Sequence, residues 1–367
     1  MTSKTLRPLI ALVGQRDEPT DALHDYCTQL QYALVRRGFA LELAEVRWDR
    51  LGYLGAFAHL WTQSANWNGQ WVLMQYTALS WSRHGFPFGA LGVLALMRQR
   101  RARCAVVFHD AQGFSGLRVV DRFRRACQHW TMRQAYRMAS RSLFTTPVEN
   151  IDWLPKGSRK ARFVPIGANI PDFQIRPEEA CLKADRPKIV AVFGVTGGEQ
   201  LAREVREIAQ AVRHANAKNA PLRLNVIGRN SKEAEPLLRR ALEGVEVALT
   251  TQGVIPMEQI ASALCSSDVL LFVRGPVANT RGSAIAGIAC GLPIVGYAGP
   301  ETGFPITEAG LQLVPQGRSD LLSLALDRVL GDDQLRRDLH VRSLHAYATY
   351  FSWDRIAEQY LTALGND

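Results

Sequence analysis

Short runs of apolar residues recur along the chain, each closing on a glycine or a polar pair and each followed by a stretch with helical spacing. Residues 9–13, 39–46, 71–74, 105–108, 143–145 and 163–166 read as strands, and so do 189–193, 222–227, 245–249, 269–273 and 293–295. Between them, 21–37 carries Leu30, Ala33 and Leu34 at helical spacing and stops at Gly38. Further helices are expected over 199–216, 233–243, 256–264, 319–330 and 353–364, the last amphipathic and placed to cross back over the first half. Strand and helix alternating in this way is the signature of a doubly wound parallel sheet. The stretch 171–187 is charged, contains prolines and has no apolar period, so it reads as a linker. The pattern predicts an α/β chain of two doubly wound, Rossmann-like domains facing a central cleft. The expected division is 1–172, a linker over 173–187, a second domain over 188–345, and a C-terminal helical segment over 346–367.

Length agrees: 367 residues exceed one ordinary core and suit two α/β domains. With 47% hydrophobic and 21% charged residues the composition is that of a soluble globular protein. The opening residues lack the basic start and apolar stretch of a secretory signal, and the longest apolar stretch, 85–97, is too short to span a bilayer. A cytoplasmic protein is expected. Its six cysteines are scattered without a CxxC pair, so they read as reduced thiols rather than a structural zinc site.

The net charge of +10 changes the picture because it is unevenly placed. Between residues 98 and 141 stand eleven arginines (98, 100, 101, 103, 118, 122, 124, 125, 133, 137 and 141), opposed by Asp110 and Asp121 alone. Leu117, Val120, Phe123, Cys127, Trp130 and Ala135 fall among them at approximately helical spacing. Such a stretch suits an anionic membrane surface, giving a peripheral membrane protein. Nucleic acid is not expected, since no binding module and little aromatic interleaving is present.

Ligands of doubly wound sheets bind beyond the C-terminal ends of the strands, so the loops after Val13, Met74, Phe108, Phe193, Ile227 and Val273 matter most. The most informative segment follows Val273. Arg281-Gly282-Ser283 opens a run of small residues (Ala284, Ala286, Gly287 and Ala289) that ends at Gly291-Leu-Pro293. That is a slim helix whose free N–H groups and adjoining basic side chain are ready for phosphate. Gly194, with Gly197 and Gly198, lies between a strand and a helix, Arg229 follows Gly228, and Arg274 and Arg281 flank the slim helix. Arginines converging on a glycine-lined cleft suit a diphosphate. In the first half, His109-Asp110 follows a strand directly, where a histidine can carry a proton or bind a hydroxyl. Gly14, His24 and Asp25 are first-loop candidates for acceptor contact, whereas Asp21 and the pair Asp332-Asp333 are better explained as helix caps. No GxGxxG fingerprint occurs.

Several of these segments together resemble family 4 of the retaining glycosyltransferases. The strongest are Ser267-Asp-Val-Leu-Leu271, the run from Arg281 to Val295 and Glu308-Ala-Gly310. Val164-Pro-Ile-Gly-Ala-Asn169, Gly253-Val254, His109-Asp110, residues 21–26 and Phe351-Ser-Trp353 agree in order and spacing. The resemblance implies the GT-B fold and transfer of a sugar, with retention and without a metal or other cofactor. The donor would be a nucleotide diphosphate sugar and the acceptor a saccharide or lipid-linked molecule. It implies catalytic roles at His109 and Asp110, diphosphate contacts at Gly194, Arg229, Arg281, Gly282 and Ser283, and base contacts at Gly253 and Val254. The chain departs from the family at its E-x7-E pair, whose positions fall near Ala278 and at Ala286, with Asn279, Ser283 and Glu301 as nearby polar residues. Two other readings follow from that departure: a non-catalytic, nucleotide-binding or scaffold subunit, and a nucleotide-sugar 2-epimerase, the latter disfavoured by the lack of catalytic carboxylates in the second half.

Overall fold

The computed structural model describes residues 8–14, 21–116, 118–170, 186–217 and 221–365. Most of the expected linker (173–187), and Leu117 of the arginine-rich stretch, lie outside the described residues. The chain divides into two compact units, residues 1–166 with 353–367 and residues 167–352.

Unit 1 holds a six-stranded parallel sheet in the order β2-β1-β3-β4-β5-β6, formed by Leu9–Val13, Leu41–Glu45, Trp71–Tyr76, Arg103–Phe108, Arg141–Phe144 and Ala161–Phe163 in chain order. Period-two alternation assigns its two faces. Ile10, Leu12, Val72, Met74, Val106, Phe108 and Phe144 join one core with helices α2 (Trp48–Gln63), α3 (Gly89–Gln99) and α4 (Val119–Met138). Leu9, Ala11, Val13, Leu73, Ala105, Val107 and Leu143 turn the other way, onto α1 (Ala22–Arg36) and the late helix Trp353–Leu364. That helix is fixed by Trp353, Ile356, Ala357 and Tyr360, all buried, and by a hydrogen bond of 3.0 Å between the Tyr26 and Tyr360 hydroxyls.

Unit 2 repeats the plan with the order β12-β11-β10-β7-β8-β9, again parallel. Its strands are β7 (Lys188–Phe193), β8 (Leu222–Ile227), β9 (Val247–Gln252), β10 (Val269–Pro276), β11 (Ile294–Ala298) and β12 (Leu311–Pro315). Helices α5 (Leu201–Asn216), α6 (Ser231–Ala241), α7 (Met257–Cys265), α8 (Gly282–Ala289), α9 (Ser319–Gly331) and α10 (Asp333–Ala346) surround it, and Trp353–Leu364 of unit 1 is α11. At the N-terminal edge, the buried Asp268 carboxylate takes Arg186 at 2.8 and 3.1 Å and the Ile189 N–H at 2.7 Å. The Gly291-Leu292 turn is held from α10, where His340 Nδ1 meets the Gly291 carbonyl at 2.7 Å and Ser343 donates to that of Leu292 at 2.9 Å. Gly310 is required by close approach: a Cβ there would stand 1.9 Å from the Leu339 carbonyl oxygen.

Three elements depart from the sequence reading. Helix α2, not anticipated, is broken by Gly52 at φ +64°, so no continuous apolar stripe announces it. The strand expected at 163–166 is Ala161–Phe163, because Pro165 has no N–H to continue the ladder. The edge strand β12 also falls outside that reading, being five residues long with Gln312 and Pro315 in it, whereas helix α10 begins where the cap pair Asp332-Asp333 expects one.

The arginine-rich stretch does not form one surface. Arg98, Arg101, Arg103 and Arg141 stand where strands β4 and β5 begin, and Arg141 donates to the Ala363 carbonyl at 3.1 Å. Arg118, Arg122, Arg124 and Arg125 open α4, which follows the opposite end of β4 and runs back along the sheet. The apolar residues of α4 are also divided. Gln128, Thr131, Met132 and Ala135 face inward, whereas Val119, Phe123 and Trp130 are 83, 63 and 50% exposed. Positions 119, 123, 126 and 130 form one outward line, flanked by exposed Arg122 and Arg125.

Candidate functional site

In unit 2, three neighbouring strands deliver the candidate residues to one edge. Gly194 follows β7 at φ +78° and donates its N–H to the Ile227 carbonyl at 2.7 Å. A Cβ on Gly194 would lie 2.7 Å from Arg274 Nη1, so the guanidinium from β10 lies against the backbone there, and the positive φ favours glycine. Arg229 follows Gly228 at the end of β8, and its carbonyl accepts the Val195 N–H at 3.2 Å, which ties the β7 and β8 loops together. Arg281 stands immediately before α8; a Cβ on Gly275 would be 3.8 Å from its Nη2. The structure therefore brings Gly194, Arg229, Arg281, Gly282 and Ser283 together and adds Arg274 to them.

These groups are largely unspent. Among the described residues neither Arg274 nor Arg281 makes a side-chain hydrogen bond or ion pair, and Arg281 Nε is buried without a partner. The N–H groups of Gly282 and Ser283 and the Ser283 hydroxyl likewise bond to no protein group. Burial, opposed by Glu204 and reinforced by Arg281 and Arg229, holds the Arg274 guanidinium below its usual range. An unpaired, partly desolvated cation is costly in a folded protein and is relieved by a bound anion.

Glu204 escaped the sequence reading. It is buried and accepts the Thr196 N–H at 2.7 Å. Its signal was there: it is an acid on the same face of α5 as Val205, Ile208, Ala211 and Val212, all buried. Gly253 and Val254 lie one strand beyond Arg229, after β9, where the Gly253 carbonyl accepts the Gly228 N–H at 3.1 Å and Val254 is exposed. The positions without a carboxylate are closed: Ala278 and Ala286 are both 1% exposed. Asn279 is also committed, donating to the Gly303 and Phe304 carbonyls at 3.3 and 3.0 Å and accepting the Ile306 N–H at 3.0 Å. Its amide holds the 303–306 loop with both N–H groups and one of the two Oδ1 lone pairs, so no donor is left for a ligand.

In unit 1 the candidates cluster at the corresponding strand ends, where the polar groups of His109, Asp110 and Tyr26 have protein partners while the Tyr76 hydroxyl is buried without one. Gly14 closes β1 so tightly that a Cβ would stand 2.2 Å from the Ser80 carbonyl oxygen. His109 Nε2 lies 2.8 Å from Gln75 Oε1. The Gln75 amide nitrogen donates to the Leu73 carbonyl at 3.2 Å, so the amide orientation is fixed and Nε2 of the histidine must carry the proton. Nδ1 is then the lone-pair nitrogen. Burial pushes the imidazole down to about 4, keeping it neutral near pH 7. Tyr26 meets the ring edge-on at 4.9 Å, and the Tyr26 hydroxyl is in turn held by Tyr360. Asp110 Oδ1 accepts the Gln112 and Gly113 N–H groups at 3.2 and 3.3 Å, closing a turn. His24 and Asp25 stand half-buried in the first turn of α1, whose N-cap Asp21 accepts the Leu23 and His24 N–H groups at 2.9 and 3.2 Å.

No protein-family model matches the sequence, and no curated protein matches it. Solved structures do. The chain is similar to HepE of Anabaena in complex with UDP and glucose, at 13% identity over 98% of this chain and 100% of that one, with a TM-score of 0.65. Sucrose-phosphate synthase of Thermosynechococcus elongatus aligns at 17% identity over 98 and 99% of the two chains, with a TM-score of 0.69. WaaG, a glycosyltransferase involved in lipopolysaccharide biosynthesis, aligns at 14% identity over 96 and 98%, with a TM-score of 0.61. Likeness of this degree shows the fold, two Rossmann-like α/β units of the GT-B class.

Proposed function

We propose that the protein is a glycosyltransferase that takes a sugar from a nucleotide diphosphate donor, with retention, and passes it to a saccharide or lipid-linked acceptor in polysaccharide or glycolipid assembly. The observation that carries this reading is the cationic edge of unit 2, where Arg281, its Nε buried without a partner, and the first N–H groups of α8 stand with Gly194 and Arg229. A departing diphosphate needs that kind of preorganised positive field, and arginine with helix N–H groups supplies it without a metal. In this reading Gly253 and Val254, after β9, contact the base, and Arg229 stands between base and phosphates. The shared fold with HepE and WaaG supports the reading. His109, neutral and with Nδ1 as an acceptor, suits contact with a sugar hydroxyl. Gly14, His24, Asp25 and Asp110 stand at the same strand ends as candidates for acceptor contact.

The outward line of Val119, Phe123 and Trp130 with Arg122 and Arg125 fits a peripheral contact with anionic lipid on the cytoplasmic face. No helix among the described residues is long and apolar enough to cross a membrane.

Calorimetry with UDP, GDP and ADP, followed by transfer assays across sugar donors with and without EDTA, tests the reading. Binding of one diphosphate and EDTA-insensitive transfer are expected; no binding of any diphosphate removes it. The closed alanines at 278 and 286 favour a second reading, a nucleotide-binding scaffold subunit. Tight nucleotide binding with neither transfer nor donor hydrolysis would select that one.

A further inference from the structure

The cationic edge of unit 2 carries more positive charge than a diphosphate needs. Arg281 adjoins the free N–H groups of Gly282 and Ser283, and together with Arg229 these already match two ionised phosphates. Arg274 is left over. Its guanidinium lies on the Gly194 backbone at the end of β7, half-buried, with no hydrogen bond or ion pair among the described residues. The acid whose charge reaches it is Glu204, and that carboxylate is engaged with the Thr196 N–H at 2.7 Å. The surrounding surface is poor in acceptors. Ala278 and Ala286 are closed and apolar, and the buried Asn279 amide gives both its N–H groups and one Oδ1 lone pair to the 303–306 loop. A neutral sugar would find little there to accept its hydroxyl protons. A carboxylate would find a planar, unpaired fork of donors, with two further arginines, Arg229 and Arg281, set against the one nearby acid, Glu204.

We propose that the sugar of the donor is itself acidic, a hexuronate, and that Arg274 pairs with its carboxylate. This inference rests on the nucleotide-sugar reading above and adds the substrate class to it. It treats Arg274 as a specificity residue, while Arg229 and Arg281 hold the diphosphate common to all such donors.

Matched donor pairs test it: UDP-glucose against UDP-glucuronate, and GDP-mannose against GDP-mannuronate, each titrated calorimetrically into the full-length protein beside UDP and GDP alone. For the nucleotide that binds, the uronate is expected to bind about tenfold more tightly than the hexose. In R274M that preference falls to within about twofold, while affinity for the free diphosphate changes by less than about threefold. R274K, which keeps the charge but not the fork, retains part of the preference. Equal affinity for hexose and uronate in the wild-type protein overturns the inference and leaves the nucleotide-sugar reading standing. A preference that survives in R274M overturns the assignment to Arg274. If none of the four donors and neither diphosphate binds, the nucleotide-sugar reading itself falls, and this inference with it.

Discussion

The two sheets end alike but are furnished in opposite ways. At the C-terminal edge of unit 1 most of the polar groups are matched: His109 to Gln75, Asp110 to its own turn, Tyr26 to Tyr360, and Trp81 Nε1 to the Gln75 carbonyl at 2.9 Å, with the buried Tyr76 hydroxyl as the exception. At the same edge of unit 2, Arg274, Arg281, Ser283 and two N–H groups of α8 have no partner among the described residues. A satisfied edge is rigid and presents few atoms with fixed roles, such as Nδ1 of His109. An unsatisfied edge is held in place by backbone geometry, the Gly194 and Gly228 turns, and leaves its charge for a ligand. The difference locates where binding energy is stored.

The sharpest test of that contrast sets a spent pair, at the N-terminal edge of unit 2, against the unspent groups at its C-terminal edge. Asp268→Ala strips Arg186 and the Ile189 N–H of their buried partner, and should cost about 3–4 kcal/mol in denaturant unfolding of the full chain. Arg281→Ala should behave oppositely. Nucleoside diphosphate affinity falls about a hundredfold, roughly 2.7 kcal/mol, while the thermal midpoint holds or rises, because a buried unpaired nitrogen is removed. A midpoint that drops as far as it does for Asp268→Ala would erase the distinction between the two edges.

His109 gives the next effect in size. With its folded value at about 4 against an ordinary 6.5, the unfolded chain binds the extra proton first as pH falls. Stability is therefore full above about pH 6.5, declines between there and about pH 4, and is flat below. The loss from this group is about 2 kcal/mol, less than the whole shift because the ring is partly exposed. Urea midpoints at pH 7.5 and 5 should show it, and His109→Gln should flatten that part of the profile. Smallest is Tyr360→Phe, which leaves the Tyr26 hydroxyl buried and alone at a cost of about 1 kcal/mol and loosens the ring that packs on His109. If the histidine's titration, followed by NMR, is unmoved in that variant, the hydroxyl pair does not support the site.

Much of this arrangement is legible in the chain. The apolar runs ending in Gly14, Gly194 and Gly228 mark strands and the turns that follow, and the small residues after Arg281 mark a slim helix with a free start. Asp21 and Asp332 cap their helices as their positions suggest, the latter accepting the Leu335 N–H at 2.9 Å. What the chain hides is tertiary. Periodicity along α4 lists its apolar residues without saying that Phe123 and Trp130 face out while Met132 and Ala135 face in. Arginines adjacent in sequence go to opposite ends of a sheet, because helix α4 reverses direction between them. Asn279 looks like a free polar residue beside the cationic edge until the 303–306 loop folds over and uses its amide.

Helix α11 has a consequence for synthesis. Trp353, Ile356, Ala357 and Tyr360 cover a sheet face formed by Leu9, Ala11, Leu73 and Val107, yet they leave the ribosome after every residue of unit 2. Unit 2 has all its own segments in hand first, so the usual N-terminal-first order of domain completion is inverted. Until the last helix arrives, a nascent unit 1 carries an uncovered apolar face and an unpaired Tyr26 hydroxyl. A chain cut after Ser352 and released should hold a protease-resistant unit 2 joined to a unit 1 that chaperones still bind.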